Sequence, residues 1–550
     1  MPAINLPSTT FVHVKNPTMR WASPIDSSNT LKLLKNKFST AKSSHELFDL
    51  DWIYLVDSGG QPQFVDILPL LFGSEALYLM VVRLDQDLDD KQDNCFCSRG
   101  ESYKLPEKLT LTHYQMIERA CQIAEAQCTQ SSPKQVVVIA THYDQTPNPE
   151  DKVRIFNERL LKLHKEYEDV LVPSDISNGK IIFPVNAMST SDERKVYTRQ
   201  LQECVIDIVR RSIQPVEVPL KWFVYELDLD EESQLTCGVV KKSRCIEIGK
   251  RLEMNESEIE SSLRFFNKLA LHLYHPEYDN YPDLVLIKMD PLTDRLSALI
   301  RKSFHHTKHM PTSQCSRLKN CGLFSKSFLN VAFENISDKQ ITFEEFLQIC
   351  QCLKVIVSVK NDEYFIPSAL SVDAIKHNTS EFVHVPVVFN WKQYLLPPGF
   401  FFTLIVTLLQ LQDDDDGENH FSLHEFQTRD RITLAVEVYG GILTLTNEHK
   451  WIWLHYKGRN SLDYVNIICL VVQAMNDVVN QFSKMAGISF PYICFPCPCG
   501  QDLHPCRLNK RHDYCICIID RSFMTPVSYE MYNIMQAVEN VVGKHYYNSF

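Results

Sequence analysis

The chain has 550 residues, a formal net charge of −12 and 44% hydrophobic residues. This length predicts three or four domains, and the hydrophobic fraction is enough to fill their cores. The acidic balance opposes binding to nucleic acid, and we find neither a signal peptide nor the apolar stretch of about twenty residues that a membrane span needs. The 18 cysteines are mostly scattered, which is typical of reduced thiols. We therefore expect a cytoplasmic protein with no membrane span and no nucleic-acid partner.

The first 44 residues are rich in Ser, Thr, Asn and Pro, and their weak periodicity predicts a poorly ordered lead-in. The segment 53–64 then reads IYLVDSGGQPQF, an apolar run that ends in Asp57, Gly60 and Gln61. In a GTPase, an Asp at this place helps to hold Mg²⁺, the Gly presents its backbone N–H to the γ-phosphate, and the Gln orients the attacking water. The competing interpretation is an ordinary turn after a strand, because Asp and Gly favour turns.

Two further apolar runs follow in the order that a guanine nucleotide site requires. The first, KQVVVIATHYD, ends in Asp144, whose carboxylate can accept two hydrogen bonds from a guanine ring, and Thr141 stands where such loops usually have Asn. The second, IIFPVNAMS, carries Asn186 and Ala187, whose backbone N–H groups are placed to contact the base. Three motifs in this order favour a nucleotide-binding domain.

Strands and helices alternate between these motifs, as a parallel sheet requires. Residues 76–84 predict a strand, and 112–127, 149–167 and 191–213 predict helices from their apolar periodicity. Residues 45–214 are therefore expected to form an α/β Ras-like domain with a parallel sheet.

The phosphate-binding loop of such domains is missing from the sequence. It needs the pattern G-x-x-x-x-G-K-[ST], but no glycine precedes Gly59, and the three Gly-Lys pairs lie elsewhere and are followed by Ile, Arg and His. The first strand and the P-loop either lie in a missing N-terminal segment or have been lost. As given, the chain is not expected to be an active GTPase, and it would use GTP or GDP with Mg²⁺ only if its N-terminus were completed.

The boxes DSGGQPQF and THYD resemble the Roc GTPase domain of Roco proteins, and PLKWFVY at 219–225 resembles the start of their COR domain. The resemblance covers roughly residues 45–485. It implies a Roc-like domain followed by an α+β COR module with winged-helix units, which forms a homodimer and serves unidentified signalling proteins. Residues 215–385 would be its N-terminal part and residues 386–485 its dimerisation unit.

Residues 215–385 predict two copies of a helix, helix, wing arrangement. Asn255 with Glu258, and Thr342 with Glu345, form capping signals at the start of one helix in each copy. Winged helices often bind DNA, but the first candidate recognition helix carries Glu256, Glu258 and Glu260, which repel phosphate.

Residues 386–485 contain the most apolar run of the chain, from Phe400 to Leu411, which is too short to span a membrane. We expect it to pack inside its unit or against a second copy. Segments 431–446 and 450–456 alternate like antiparallel strands, and 461–482 predicts a helix.

Residues 486–550 form a Cys/His-rich tail with a predicted helix at 528–542. Cys494 and Cys497, together with Cys515 and Cys517, could supply the four ligands of a structural zinc ion, with His504 and Cys506 as alternatives. The one-residue spacer in the second pair is atypical. Buried thiols in a Cys-rich hairpin are the alternative interpretation.

The whole sequence predicts a Roco-like signalling scaffold with a degenerate or truncated GTPase domain. The alternative is a competent GTP-binding and GTP-hydrolysing switch whose P-loop lies in a missing N-terminal segment.

Overall fold

The structure is a computed structural model, which describes part of the chain. The described residues are 10–15, 19–21, 54–58, 77–90, 95–98, 101–104, 112–127, 135–174, 180–185, 199, 201–206, 216–269, 271–302, 312–334, 336, 340–360, 362–370, 384–391, 396, 399–412, 419–424, 427–448, 451–458, 460–486, 490–496, 505–508, 514–517, 524–526 and 529–542. They fall into two compact units, of which the first comprises residues 1–296 with 336–348 and the second comprises 297–335 with 349–550.

The first unit begins with a five-stranded sheet in the order β3-β1-β4-β7-β8. Its strands and the two helices beside it are β1 (Thr10–Lys15), β3 (Tyr54–Ser58), β4 (Leu77–Arg83), β7 (Val136–Thr141), β8 (Ile182–Pro184), α1 (His113–Gln127) and α2 (Pro149–Glu166). Strands β4, β7 and β8 are mutually parallel, which confirms the predicted parallel arrangement. Two small ribbons accompany this sheet: β2 (Met19–Trp21) pairs with β9 (Val216–Val218), and β5 (Cys95–Ser98) pairs with β6 (Glu101–Lys104).

Strand β1 lies between β3 and β4 and runs antiparallel to both. It comes from the lead-in segment, for which the sequence indicated poor order. The run TFVHVK is rich in β-branched and aromatic residues, which suit a pleated surface. Strand β1 therefore takes an interior place in the sheet, with a neighbour on each side.

Alternating residues of β4 and β7 fill two cores. Met80, Val82 and Val138 point to the side that α1 and α2 cover. Leu79 and Val137 point to the other side, where residues 201–206 are helical and partly cover them. Both faces of the sheet are thus apolar, as is usual for parallel strands with helices on both sides.

The first unit continues with α3 (Leu220–Leu235), β10 (Val239–Lys241), α4 (Lys242–Arg251), α5 (Glu256–Lys268) and β11 (Leu284–Leu286). Asn255 caps α5 as predicted, because its side-chain oxygen accepts the N–H of Glu258 at 2.9 Å. Leu273 forms an isolated antiparallel bridge with Leu286. Strand β11 therefore lies between β10 and the chain at Leu273. Helix α6 spans Asp290–Arg301.

A similar succession follows as α7 (Thr312–Cys321), β12 (Leu323–Ser325), α8 (Phe328–Ala332), α9 (Phe343–Cys352), β13 (Val357–Val359) and β14 (Glu363–Phe365), with the strands in the order β12-β14-β13. The predicted capping box is confirmed at α9, where the Glu345 N–H donates to Thr342 Oγ1 at 3.2 Å and the Thr342 N–H donates to Glu345 Oε2 at 2.8 Å.

The two successions share one backbone detail. Gly238 precedes β10 with φ of 91°, and its carbonyl accepts the N–H of Ile287 at 2.9 Å. Gly322 precedes β12 with φ of 68°, and its carbonyl accepts the N–H of Ile366 at 2.9 Å. The same turn, with a glycine in the left-handed region, thus leads into the first strand in each case.

The second unit contains a nine-stranded sheet in the order β16-β17-β18-β19-β15-β20-β21-β22-β23. The strands are β15 (Val387–Asn390), β16 (Phe421–Leu423), β17 (Arg431–Val436), β18 (Ile442–Asn447), β19 (Trp451–Lys457), β20 (Tyr492–Pro496), β21 (Pro505–Leu508), β22 (Tyr514–Cys517) and β23 (Met524–Pro526). All pairings are antiparallel. The strands after residue 485 therefore continue the sheet that the preceding segment begins.

Helices α10 (Phe400–Gln410), α11 (Ser461–Ala486) and α12 (Tyr529–Val542) belong to the same unit as this sheet. Residues 403–409 of α10 are all buried, so the most apolar run of the chain packs inside its own unit, which was one of the two expectations. Segment Ser461–Phe482 is long and apolar enough to cross a membrane by length and composition, yet half of its apolar window is buried inside the unit. The core helix of a soluble protein can have the same length and composition.

Candidate functional site

Two parallel strands end together at the edge of the five-stranded sheet. Arg83, the last residue of β4, is in register with Thr141, the last residue of β7. The Thr141 hydroxyl donates to the carbonyl of Val82 at 3.2 Å and lies 3.0 Å from Nδ1 of His142. The Thr predicted to replace the usual Asn therefore links the ends of the two strands.

Asp144 lies on the turn that follows β7. His142 starts this turn in the left-handed conformation, with φ of 61° and ψ of 30°, and Tyr143–Gln145 forms a single 3₁₀ turn. The Thr146 hydroxyl closes the turn by donating to the carbonyl of His142 at 2.7 Å. The backbone is thus fixed, while the Asp144 side chain is exposed at the edge of the sheet.

The other predicted nucleotide ligands are described only in part. Asp57 lies in β3 opposite Val12 of β1, and Val12 in turn lies opposite Leu79 of β4. Asp57 therefore belongs to the same sheet, at a level below the ends of β4 and β7. Gly60, Gln61, Asn186 and Ala187 lie outside the described residues. The chain that leads to Asn186 leaves the sheet beside β7, because Val185 donates its N–H to the carbonyl of Ala140 at 2.7 Å.

An ion pair that was not predicted from the sequence occupies this edge. The guanidinium of Arg83 donates to both carboxylate oxygens of Asp85, from Nε at 3.0 Å and from Nη2 at 2.6 Å. This hydrogen bonding lowers the pKa of Asp85 against the opposing effect of its partial burial. The sequence reads Arg83-Leu84-Asp85 at the end of a predicted strand. This spacing of opposite charges is the signal from which the pair could have been predicted.

The acidic loop after β4 is held by the helices beside it. Lys152 of α2 contacts Asp87, and Arg159 of the same helix contacts Asp89 at 2.8 Å. Nε2 of His113 on α1 lies 3.0 Å from Oε1 of Gln86, and burial lowers the pKa of His113. These carboxylates therefore hold the loop in place.

The part of this edge that the structure describes combines paired basic side chains with an antiparallel strand. The basic side chains described there, Arg83, Lys152 and Arg159, contact carboxylates. Strand β1 occupies the place beside β3 and β4 but runs antiparallel, so it brings its first residue, Thr10, to the end of the sheet where the parallel strands finish. A P-loop must instead follow the last residue of a parallel strand. Across the described residues, no group of three His, Cys, Asp or Glu side chains is arranged to hold a metal ion.

The predicted zinc ligands are also described only in part. Cys494 is buried in a small apolar cluster with Val388 and Trp453. That environment is ordinary for a structural thiol. In the strands beyond it, the backbone of Cys506 is in register with that of Cys517. Cys515 belongs to the same strand as Cys517, whereas Cys497 and His504 lie outside the described residues. The described residues give the zinc prediction no support.

Comparison with known proteins gives distant similarity to solved structures. No protein-family model matches the chain, and no curated protein matches it. Among solved structures, it is similar to the RocCORdC fragment of Methanosarcina barkeri Roco2 bound to GDP. The identity is 14% and the TM-score 0.37, over 62% of this chain and 91% of that one.

Proposed function

We propose that this protein is a Roco-like signalling scaffold of the cytoplasm, in which a degenerate or truncated GTPase-like domain precedes a COR-like module. One observation carries the proposal: β3, β4, β7 and β8, the strands of the predicted motifs, all run in the same direction in one sheet, and Asp144 is exposed at their carboxyl edge. Ligands of open α/β sheets bind at this edge.

Weak nucleotide binding by the chain as given is proposed on two grounds. The sequence has no G-x-x-x-x-G-K-[ST], and the basic side chains described at the edge are paired with Asp85, Asp87 and Asp89. Much of the affinity for a nucleoside triphosphate comes from its phosphates. A domain that retains only the base-recognition turn is therefore expected to bind GTP weakly.

The succession from α3 to β11, and that from α7 to β14, support an interpretation of both as winged-helix units. In each, a helix, a strand and two helices come before the last strand, which lies beside the first strand. The acidic side chains of α5 are partly neutralised within the unit, since Glu260 contacts Arg264 at 2.9 Å and Lys242 at 3.4 Å. We propose that these units serve as protein scaffolding and do not bind nucleic acid.

Titration of fluorescently labelled GTP and GDP tests the nucleotide part of the proposal. Binding weaker than micromolar is expected. Micromolar or tighter binding that Asp144→Ala abolishes would overturn the expectation of weak binding. Asp151→Ala is the matched control, since Asp151 is also an exposed aspartate, on α2, and 69% of its side-chain surface is accessible.

A competent GTP switch is the second candidate, favoured by the exposed Asp144 on a turn that Thr146 holds closed. In that case Asp57 would help to hold Mg²⁺ and Gln61 would place the attacking water. Steady GTP hydrolysis that Gln61→Leu removes, with nucleotide binding retained, would favour this candidate over the scaffold.

We also propose that residues 215–485 form a homodimer, which is the property that the resemblance to a COR module implies. The apolar run of α10 is buried within its unit, so the dimer would use other surfaces. Sedimentation of the full chain tests this, and a monomer at tens of micromolar removes the dimer from the proposal.

A further inference from the structure

Two cysteines stand directly opposite each other in neighbouring strands at one end of the nine-stranded sheet. Strands β21 and β22 pair antiparallel, and in their register Cys506 is the partner of Cys517. Opposite residues of such a pair have Cα atoms about 5.5 Å apart where they exchange hydrogen bonds and about 4.5 Å apart where they do not. A disulfide needs Cα atoms about 4.4–6.8 Å apart, so both cases satisfy it. The backbone therefore brings these two cysteines within disulfide distance.

The register excludes the other cysteines of β20 and β22 as partners of Cys506. Cys515 is opposite Leu508, two residues away from the position opposite Cys506. Such diagonal neighbours are about 7–8 Å apart, beyond the limit of about 7 Å for a disulfide without movement of the backbone. In β20, the residue opposite Cys506 is Phe495. Cys494 precedes it, and consecutive residues of a strand belong to opposite faces of the sheet. Among the described residues of these three strands, the register thus leaves Cys506 a single cysteine partner.

A bond at this place would strengthen one particular connection in the sheet. Strands β22 and β23 follow β21 at one end of the sheet order, so among the described strands their connection to the rest of the sheet passes through β21 alone. The pairing of β21 with β22 covers three residue pairs, from Cys506 with Cys517 to Leu508 with Cys515. A disulfide also restricts the unfolded chain between the residues that it joins. Oxidation of the pair would therefore hold β22 and β23 in the sheet.

We propose that Cys506 and Cys517 form a reversible dithiol–disulfide pair, which exchanges with a small-molecule disulfide such as glutathione disulfide and, when oxidised, fastens β22 and β23 to the sheet. One cysteine thiolate attacks a sulfur of glutathione disulfide, whose S–S bond breaks, and a mixed disulfide forms with release of one glutathione. The thiolate of the other cysteine then attacks the sulfur of the first cysteine and releases the second glutathione. Two electrons pass from the cysteines to glutathione disulfide, and the two thiol protons end on the released glutathione molecules. Since the cytoplasm keeps thiols reduced, the disulfide would form as the proportion of oxidised glutathione rises.

The test incubates the full chain at increasing ratios of oxidised to reduced glutathione, blocks the free thiols by alkylation and maps the protein by mass spectrometry without reduction. We expect a linked pair of peptides that contain Cys506 and Cys517, lighter by about 2 Da than the two reduced peptides because two hydrogens are lost. Cys506→Ser and Cys517→Ser should each abolish the link. Cys515→Ser is the matched control, since Cys515 lies in the same strand as Cys517, and it should keep the link in full.

Limited proteolysis gives a second readout. Oxidation should slow the cleavage of residues 505–526 in the native chain and in Cys515→Ser, and should leave it unchanged in Cys506→Ser. Thermal melting under reducing conditions checks that the variants are equally folded, and if Cys506→Ser unfolds, the peptide map and cleavage rates of the native chain and Cys515→Ser decide alone. The proposal is overturned if Cys506 and Cys517 stay reduced or carry only glutathione at every ratio, if either is linked to another cysteine, or if the oxidised chain is cleaved as fast as the reduced one. A zinc ion that keeps both thiols from oxidation would also overturn it.

Discussion

Asn157 of α2 holds Ile181, the residue that precedes β8. Its side-chain oxygen accepts the N–H of Ile181 at 2.7 Å and that of the next residue, Ile182, at 3.2 Å. Asn157 is 7% exposed and Ile181 is fully buried, so water cannot replace the side chain. A single amide thus joins a helix to the last strand of the parallel sheet.

We expect Asn157→Ala to destabilise the first unit by about 2 kcal/mol, because it leaves two buried N–H donors without an acceptor. Urea unfolding followed by tryptophan fluorescence or circular dichroism measures the change. Asn330→Ala serves as the control, since Asn330 is exposed and should change stability by less than about 0.5 kcal/mol. Equal effects of the two substitutions would contradict the prediction.

Gly322→Ala is expected to destabilise the second unit by about 3 kcal/mol. The new Cβ would lie 2.7 Å from a ring carbon of Phe365 and 3.0 Å from the carbonyl oxygen of Ile366, at a residue with φ of +68°. Gly440 has nearly the same φ, +69°, and a Cβ added there would have no neighbour within 4 Å, so Gly440→Ala should lose only about 1 kcal/mol. Urea unfolding measures both variants, and the difference between their midpoints isolates the effect of the contact with Phe365 and Ile366.

His455 should make the second unit less stable in mild acid. Burial, reinforced by the charge of Arg431, lowers the pKa of His455 from 6.5 to about 4. The folded state therefore keeps the imidazole neutral, while the unfolded chain takes up a proton below pH 6.5. Stability from this group is present above pH 6.5 and is lost as the pH falls toward 4, by about 2 kcal/mol between pH 7 and pH 5.

The measurement compares urea midpoints at pH 7 and pH 5 for the native chain and for His455→Gln. The variant also loses the stacking of His455 on Trp453, whose ring centre is 6.2 Å away, so its stability at pH 7 will be lower. Only the difference between the two pH values tests the titration, and it should shrink in the variant. An unchanged difference would assign the acid sensitivity to other groups.

Cys494→Ala is expected to destabilise the second unit by about 1 kcal/mol through lost packing against Val388 and Trp453. Burial of the thiol predicts the same loss with and without a strong chelator. The zinc hypothesis predicts something different: close to one zinc per chain, removed by Cys494→Ser with Cys497→Ser. Metal analysis by mass spectrometry, together with chelator-dependent protease sensitivity of residues 490–520, separates the two.

Local signals in the sequence were sufficient wherever a short motif fixes its own geometry. Thr342 with Glu345 forms the predicted capping box, and β13 and β14 form a hairpin shortly after the helix that this box begins. The helices at 113–127 and 149–166 also follow from apolar periodicity alone. These features depend on residues three or four apart, or on strands joined by a short loop.

Features that join distant residues could not be predicted in this way. The place of β1 between β3 and β4 depends on which strand edges the rest of the sheet leaves open. The sequence of residues 10–15 does not indicate which strands they pair with. The pairing of Lys152 with Asp87 has the same origin, since an aspartate in an acidic loop is expected to be solvated until the facing helix is known. In the candidate site, the residues of the motif turn were predicted, and the ion pairs behind them were not.

The place of β15 in the nine-stranded sheet has a consequence for how the second unit folds. Strands β16 to β19 are sequential neighbours, and so are β20 to β23, so each group can form from local hairpins. Strand β15 alone lies between the two groups, and it pairs with β19 more than sixty residues later and with β20 more than a hundred residues later. Such non-local pairing is slow to form. We therefore expect the insertion of β15 to be a late step that joins the two groups of strands, and before it each group would expose an edge that can pair with another chain.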